Sequence, residues 1–499
     1  SSDRAGVCFA TSGPGATNLL TGLATAMMDS APVVAITGQV GRKAIGTDAF
    51  QETDIVGASL PVTKHNYRVM HARELPRVMK EAFHIARGGR PGPVLVDIPR
   101  DVQTEETEVD PAIWDEPVYL RGYHPPTTGE PASVEAAARL INESERPVIL
   151  SGHGVIISRA FDELREVAEK AQIPVITTLL GISGFPTDHV LNLGMPGMHG
   201  VAWSSLALDQ ADLIVAVGAR FDDRITGDTR RFAPNSKKIH IDVDPAEINK
   251  NIQVDVPILG NVKDVLRQLT PLVERATHPE WLEHIEHLKA EHPSLRIRET
   301  DKLLGQHVVR AISDASKGEA MVITGVGQHQ MWAAQHFRFS RANSWFTSGG
   351  LGTMGYEVPA AMGVQIANMD RPVWSICGDG GFQMTMPELA TIAENRLPVK
   401  LAILNNNMLG MITQWQAIFY NKGFVANAYT GNPDFVKLAE AYGIKGLRVE
   451  SQEDLESGIR EAMEHPGPVI IDFRIFAEEN VYPMIPSGQS VAELIEEPS

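Results

Sequence analysis

The chain has 499 residues, 43% of them hydrophobic and 21% charged, which is the balance of a folded globular protein with room for about three domains. Lys and Arg total 44 against 62 Asp and Glu, a formal charge of -18 that repels phosphate backbones and anionic lipid, so nucleic acid and membranes are excluded as partners. No apolar run approaches the roughly 18–20 residues a spanning helix needs, and two cysteines, Cys8 and Cys377, are too few for a disulfide framework and fit the cytoplasm or an organelle matrix.

The chain opens at once on the apolar segment AGVCFATSGPGATN, with no initiating Met, charged leader or signal-peptide core before it. Globular domains seldom begin at a buried strand, so an N-terminal stretch is expected to precede it. Short Val- and Ile-rich runs then recur: PVVAITG (32–38), GPVLVDIP (92–99), PVILSGHG (147–154), DLIVAVGARFDD (212–223), KKIHIDVDP (237–245), PVWSICGDGG (372–381), VKLAILNNN (399–407) and GPVIIDFRI (467–475). Runs with so little polar alternation read as strands buried on both faces. Helical patterns lie between them, so the fold class is α/β with parallel sheets, whose ligands gather at the carboxyl ends of strands.

Residues 101–131 are acidic and Pro-rich and read as a linker; residues 270–305, charged and His-rich, read as an exposed helix and connector. The expected domains are therefore 1–105, 131–275 and 300–499. Segments 92–98 (GPVLVDI) and 467–473 (GPVIIDF) nearly match, which suggests that the first and third domains share one topology.

The strongest local signal is CGDGGFQMTMPELATIAENRLPVKLAILNNNMLGM. Asp379 follows one strand, and Asn406 follows another 27 residues later. That interval fits a turn, a helix over Pro387–Asn395 and a return strand, one βαβ crossover that brings both side-chain oxygens to adjacent strand ends. One carboxylate plus one amide oxygen is a sparse, hard ligand set, suited to Mg²⁺ that keeps water and shares a diphosphate. Gly378, Gly380 and Gly381 would let backbone N–H groups approach phosphate oxygens closely. The competing reading is an ordinary turn with Asp and Asn as turn formers.

GDG followed by an NN-ended run resembles the motif of thiamine-diphosphate (ThDP) enzymes. TSGPGATN, GTDAFQE, KHNY, RPGPVLVDIP, GMHG, GARFDDRITG, HIDVDPAEI, VGQHQMWAAQ, SGGLGTMGY and LGMITQWQ, in that order, resemble the catalytic large subunit of the acetohydroxyacid synthase (acetolactate synthase) family along essentially the whole chain. The resemblance implies three doubly wound parallel-sheet domains, the first and third of ThDP-binding type and the middle one Rossmann-like. It implies Mg²⁺ held by Asp379, Asn406 and the carbonyl of Met408, and the diphosphate held by Gln328, His329, Gly380 and Gly381. Gly352 and Met354 would contact the aminopyrimidine, Met411 would support the bent cofactor, and Phe50, Gln51 and Lys64 would approach from a partner subunit. Arg224 would meet a 2-ketoacid carboxylate, with Asp223 as its ion-pair partner, and Trp415 would shape a small apolar pocket for the acceptor. FAD is implied in the middle domain at His199, Gly218, Arg220, Asp242 and Asp244, with Ser30 and Arg90 of the first. Trp332, by contrast, reads as core.

The implied reaction is decarboxylation of pyruvate on ThDP and ligation of the hydroxyethyl unit to pyruvate or 2-ketobutyrate, in branched-chain amino-acid biosynthesis. The implied assembly is a homodimer or homotetramer with active sites at the subunit interface. A small regulatory subunit is a further family partner on which the sequence is silent. Other readings are a related ThDP/FAD enzyme, such as a pyruvate oxidase or a catabolic acetolactate synthase, or a non-catalytic relative. Three departures stand out. The family's activating glutamate lies in an RHEQ-like segment upstream of TSGPGATN, so no residue here is assigned its role and the chain as given is expected to be inactive or severely crippled. Arg100 stands where the family has Lys. Glu357 stands where a small residue is common, and reads as a helix-start carboxylate or, if buried near the cofactor, as an unusual acid.

Overall fold

The computed structural model describes residues 1–429 and 431–497. They form three sheets, each wholly parallel. The first holds β1 (Gly6–Ala10), β2 (Val33–Gln39), β3 (His65–Arg68) and β4 (Pro93–Pro99) in the order β1-β2-β4-β3. The second holds β5 (Pro147–Ser151), β6 (Val175–Thr177), β7 (Asn192–Gly194), β8 (Leu213–Val217), β9 (Lys237–Asp242) and β10 (Val256–Leu259) in the order β10-β9-β8-β5-β6-β7. The third holds β11 (Met321–Thr324), β12 (Trp345–Thr347), β13 (Val373–Gly378), β14 (Lys400–Asn405), β15 (Lys445–Val449) and β16 (Val469–Arg474) in the order β12-β11-β13-β14-β16-β15.

The unalternating apolar runs are explained by two cores per sheet. In the third sheet Val322, Trp374, Ile376, Ala402 and Phe473 enter one core, while their neighbours Ile323, Val373, Cys377, Leu401 and Ile470 enter the other. Successive side chains point to opposite faces, so a strand covered on both sides must be apolar throughout. The second sheet repeats the pattern, with Ile149 and Val215 on one face and Val148 and Ile214 on the other.

The matching end-strands occupy matching places. The order β1-β2-β4-β3 reappears as β13-β14-β16-β15. Buried Asp97 in β4 accepts from Arg68 Nε at 3.2 Å, and Arg68 also donates to Asp54 at 2.8 Å. Buried Asp472 in β16 accepts from Arg448 Nε at 3.2 Å, and Arg448 also donates to Asp434 at 2.6 Å. In each copy the first aspartate precedes the arginine by 14 residues and caps a helix, Ile55–Ser59 or Phe435–Ala441. The shared order and the shared Asp–Arg–Asp chain make the two sheets variants of one topology.

Two expectations need correction. The helix Pro279–Glu291 is not exposed on all sides: Trp281, Ile285 and Leu288 join the core with Trp203 and Leu208, and Trp281 Nε1 donates to the Pro147 carbonyl at 3.1 Å. The charged and His residues cover only its outer face. The expected helix over Pro387–Asn395 is a 3₁₀ turn, Met386–Glu388, followed by the short helix Leu389–Glu394, and a further helix, Asp379–Met384, starts directly at the end of β13.

The chain divides into two compact units, one of residues 3–126 with 348–353, the other of residues 1–2, 127–347 and the chain from 354. Among the described residues no helix is long and apolar enough to cross a membrane.

Candidate cofactor and active site

At the carboxyl end of the third sheet, the turns after β11, β13 and β14 meet in a closed ring of contacts. After β11, Gln328 and His329 open the helix Gln328–His336. The His329 ring lies against Gly378 at the end of β13, where a Cβ would sit 2.9 Å from ring atoms. After β13, Asp379 is buried; its Oδ1 accepts from Gly380 N–H at 3.1 Å, and its Oδ2 from Asn432 Nδ2 at 2.7 Å. That same Nδ2 lies 3.3 Å from Asn405 Oδ1 and 3.1 Å from Asn407 Oδ1, which ties the β13 turn to the β14 turn. After β14, Asn406 Oδ1 accepts from Met408 N–H at 3.1 Å. Asn406 Nδ2 and Gln328 Oε1 converge on Gly410, where any side chain would collide with both, and this closes the ring from β14 back to β11.

Burial sets the electrostatics. It pushes Asp379 up to about 6, against the lowering effect of the Asn432 and Gly380 hydrogen bonds, and pulls His329 down to about 3, so its ring is neutral. Among the described residues no group of three or more His, Cys, Asp or Glu gathers. A divalent ion here would therefore rely on one carboxylate plus neutral oxygens, the pattern of a hard cation that keeps water.

Buried Gln328 Oε1 and His329 Nε2 have no hydrogen-bond partner, although Gln328 Nε2 is engaged by Gln414 Oε1 at 3.1 Å and the Glu479 carbonyl at 2.9 Å. Unpartnered buried polar atoms are costly and mark a site completed by something else. Together with the glycine-lined turns, they fit a phosphorylated cofactor and its metal.

The helix Gly410–Phe419 leaves this ring carrying Met411, packed against the core, and Trp415, whose ring lies 5.1 Å from Phe419. Met354 is half-buried in the turn before the helix Glu357–Ala367. Glu357 does open that helix as expected, but it is fully buried and caps nothing. Trp332 is core, as expected.

In the middle sheet, Gly218, Asp242 and Gly152 mark the ends of adjacent strands β8, β9 and β5. Gly218 lies so close to Gly154 that a Cβ would sit 2.5 Å from the Gly154 Cα. Asp242 and Asp244 accept from the amides of Asp244 and Ala246, and Arg220 lies 3.4 Å from Asp222. His199 is buried with Nδ1 unpartnered; burial and then Arg224 pull it down to about 4. Arg224 is more than half exposed, 3.8 Å from Asp223 and 3.6 Å from Met198 Sδ, so Asp223 holds it only loosely. Arg224 and Met198 line a small cleft with Ser487 and Gln489 of the C-terminal segment.

In the other unit, Phe50 and Arg100 line an open cleft of about 660 Å³ with Phe9, Thr11 and Gln39. Gln51 is in the left-handed region at φ 61°, packed against Gly13. The Lys64 ammonium donates to the Ile85 and Gly88 carbonyls and the Tyr123 hydroxyl. Arg90 Nε donates to Ser30 at 2.8 Å. Gly352, at φ 72°, follows Gly349 and Gly350, whose amides donate to Asp29.

Models of thiamine pyrophosphate enzymes match part of the first sheet, the whole of the second and most of the third: the N-terminal TPP binding domain over residues 1–58, the central domain over 134–269 and the C-terminal TPP binding domain over 325–473. The acetolactate synthase of Mycobacterium leprae is 48% identical over 503 residues, covering 98% of this chain and 80% of the relative. The acetolactate synthase isozyme 1 large subunit of Escherichia coli is 45% identical, covering 98% and 86%. A probable acetolactate synthase large subunit of Methanocaldococcus jannaschii is 45% identical, covering 99% and 85%. The chain belongs to the acetolactate synthase family of thiamine pyrophosphate enzymes.

Within that family frame, sequence reasoning missed Asn432, Gln383 and Gln414. Gln383 Nε2 bonds both the Asp379 carbonyl and Asn432 Oδ1 at 3.0 Å, and fully buried Gln414 links Gln328 to Val481. No local signal marks Asn432. Gln414 was visible only as the neighbour of Trp415.

Proposed function

We propose that the chain is a catalytic subunit of acetohydroxyacid synthase. It decarboxylates pyruvate on ThDP and ligates the two-carbon unit to pyruvate or 2-ketobutyrate, giving 2-acetolactate or 2-aceto-2-hydroxybutyrate for branched-chain amino-acid biosynthesis. Near-full-length identity to acetolactate synthases supports the reaction. The observation that carries the site is the ring of strand-end contacts joining Gln328, His329, Asp379 and Asn406.

When bound, ThDP supplies the electron sink that decarboxylation requires. In this reading Asp379, Asn406 and the Met408 carbonyl hold Mg²⁺, while Gln328, His329, Gly380 and Gly381 hold the diphosphate. Gly352 and Met354 orient the aminopyrimidine, and Met411 supports the cofactor. Arg224 fixes a ketoacid carboxylate by its fork of donors, and Trp415 borders the acceptor's alkyl group. His199, Gly218, Arg220, Asp242, Asp244, Ser30 and Arg90 form the FAD contacts. The working enzyme is a homodimer or homotetramer in which Phe50, Gln51 and Lys64 act from a second copy, Arg100 stands in for the family's Lys, and the domains run 1–105, 131–275 and 300–499.

The test uses the whole gene product with pyruvate, ThDP, Mg²⁺ and FAD. Acetolactate is read by its colour reaction after acid decarboxylation, and the acceptor preference by competition with 2-ketobutyrate. No acetolactate from the whole, folded product would overturn the reading.

A further inference from the structure

Glu357 has an environment that none of its neighbours explains. Its side chain is completely buried; the backbone amides of Glu357 and Gly355 hold its carboxyl down weakly without reaching full hydrogen-bond geometry. It lies in the notch between two glycines: a Cβ on Gly381 would sit 2.5 Å from Oε1, and one on Gly325 would collide with the same carboxyl. Gly381 belongs to the turn after β13 and Gly325 to the turn after β11, the two turns that also carry Asp379 and Gln328. The groups facing it are neutral: the Gly355 and Glu357 backbone amides and the Cys377 thiol, pushed up by burial; the Ser375 hydroxyl donates to the Glu357 backbone carbonyl at 3.2 Å. Burial pushes the Glu357 carboxyl itself up to about 7, so it carries a proton through most of the acid to neutral range.

A protonated carboxyl is a hydrogen-bond donor whose natural acceptor is an oxyanion. A metal ion is a poorer fit, since the notch offers one carboxyl, a neutral thiol and glycine carbons. We propose that Glu357 is a further cofactor-binding residue, donating its carboxyl O–H to the diphosphate end of ThDP. The burial of Glu357 matches that of Gln328 and His329, whose unpartnered atoms belong to the same site; Tyr429 and Asn432 lie over the glycine turn they share. The inference rests on the assignment of Asp379 and Gln328 to the cofactor's metal and diphosphate.

The test compares Glu357→Met, which fills the notch without a donor, with Glu357→Gln, which keeps one. ThDP binding to the whole protein is measured calorimetrically at fixed Mg²⁺, with melting of the cofactor-free protein alongside. Glu357→Met weakens ThDP binding about 10- to 100-fold, as loss of a bond to a charged acceptor does, while its cofactor-free form melts no lower than the parent. Glu357→Gln stays within about threefold of the parent by the same reasoning. Unchanged ThDP affinity in Glu357→Met, or equal losses in both variants, overturns the proposal. Asp379→Ala separates the two ideas. If it abolishes ThDP binding while Glu357→Met does not alter it, only the role of Glu357 fails. If Asp379→Ala binds normally, the site assignment itself fails, and the Glu357 proposal with it.

Discussion

Asn432→Ala tests the ring at the point where β13 and β14 are joined. The Asn432 amide is 2.7 Å from Asp379 Oδ2, and its hydrogen bond is the largest effect holding the Asp379 carboxyl down against burial, which leaves it at about 6. A hydrogen bond to a charged acceptor contributes about 1.5–3 kcal/mol, so its loss raises Asp379 by roughly one to two units. At pH 7 the carboxyl then passes from mostly ionised to half or more protonated. A protonated carboxyl cannot ligate a cation, and removing a partner of a ligand typically costs about 10- to 100-fold in metal affinity. Titrating Mg²⁺ into the protein with saturating ThDP, from pH 6.5 to 8.5, therefore shows a tenfold or larger deficit at pH 7 that shrinks as pH rises. An unchanged Mg²⁺ affinity at pH 7 in a variant that still melts cooperatively would refute the reasoning. So would a deficit that is flat with pH, because then geometry alone, not the state of Asp379, is at stake.

Other consequences are as direct. Gly410→Ala places a methyl group against Gln328 Oε1 and Asn406 Nδ2; it should weaken ThDP–Mg²⁺ binding at least tenfold by calorimetry and cost about 1–3 kcal/mol of cofactor-free stability through overpacking, and unchanged ThDP–Mg²⁺ binding would count against the ring as the cofactor site. Asp97→Ala and Asp472→Ala each remove the buried partner of an arginine that keeps its outer one, Asp54 or Asp434, and each should cost about 1–3 kcal/mol in denaturant unfolding; no measurable loss in either would show that the repeated Asp–Arg–Asp chain is ornamental. Glu357 is raised from 4.5 to about 7, so its neutral form favours the folded state fully below pH 4.5 and that contribution is lost as pH rises through 7. Melting of the cofactor-free protein from pH 4.5 to 8 should therefore fall more steeply in the parent than in Glu357→Gln, by roughly 3 kcal/mol over the window; parallel profiles would count against a buried, titrating carboxyl.

Most of the strands were legible because they lie between two cores, so runs such as PVILS, DLIVAV and VKLAIL are almost wholly apolar; Asp97, His240 and Asp472 interrupt others, each of them buried. The pairing of Asp379 with Asn406 was legible because a βαβ crossover converts sequence spacing into adjacency. The helix Pro279–Glu291 was misjudged as exposed because its charges outnumber its apolar residues, yet Trp281, Ile285 and Leu288 recur at helical spacing and that stripe is what the core uses. Asn432 was illegible for a different reason. Its partners lie in two turns 25 to 53 residues away, and an asparagine in a Gly-Asn-Pro sequence has an ordinary turn explanation that competes with any other.

The glycines of the GDGG turn also acquire a different cause from the one the sequence suggests. Close approach of phosphate to backbone N–H groups explains glycine in general, but here each one is already claimed by a protein side chain: Gly378 by the His329 ring, Gly380 by the Tyr429 hydroxyl and Gly381 by the Glu357 carboxyl. A methyl group at any of the three must first displace that side chain. The turn is thus shaped from outside by residues of the β11 turn, the segment following Met408 and the helix Glu357–Ala367. It follows that alanine at Gly381 should be rescued by shortening Glu357, whereas a glycine required only by phosphate would gain nothing from that change. The double variant Gly381→Ala/Glu357→Ala, compared with each single variant by ThDP calorimetry and by cofactor-free melting, separates these causes: recovery of melting without recovery of ThDP binding assigns Gly381 to packing and Glu357 to the cofactor, whereas a Gly381→Ala single variant that melts like the parent yet loses ThDP binding assigns Gly381 to the phosphate alone.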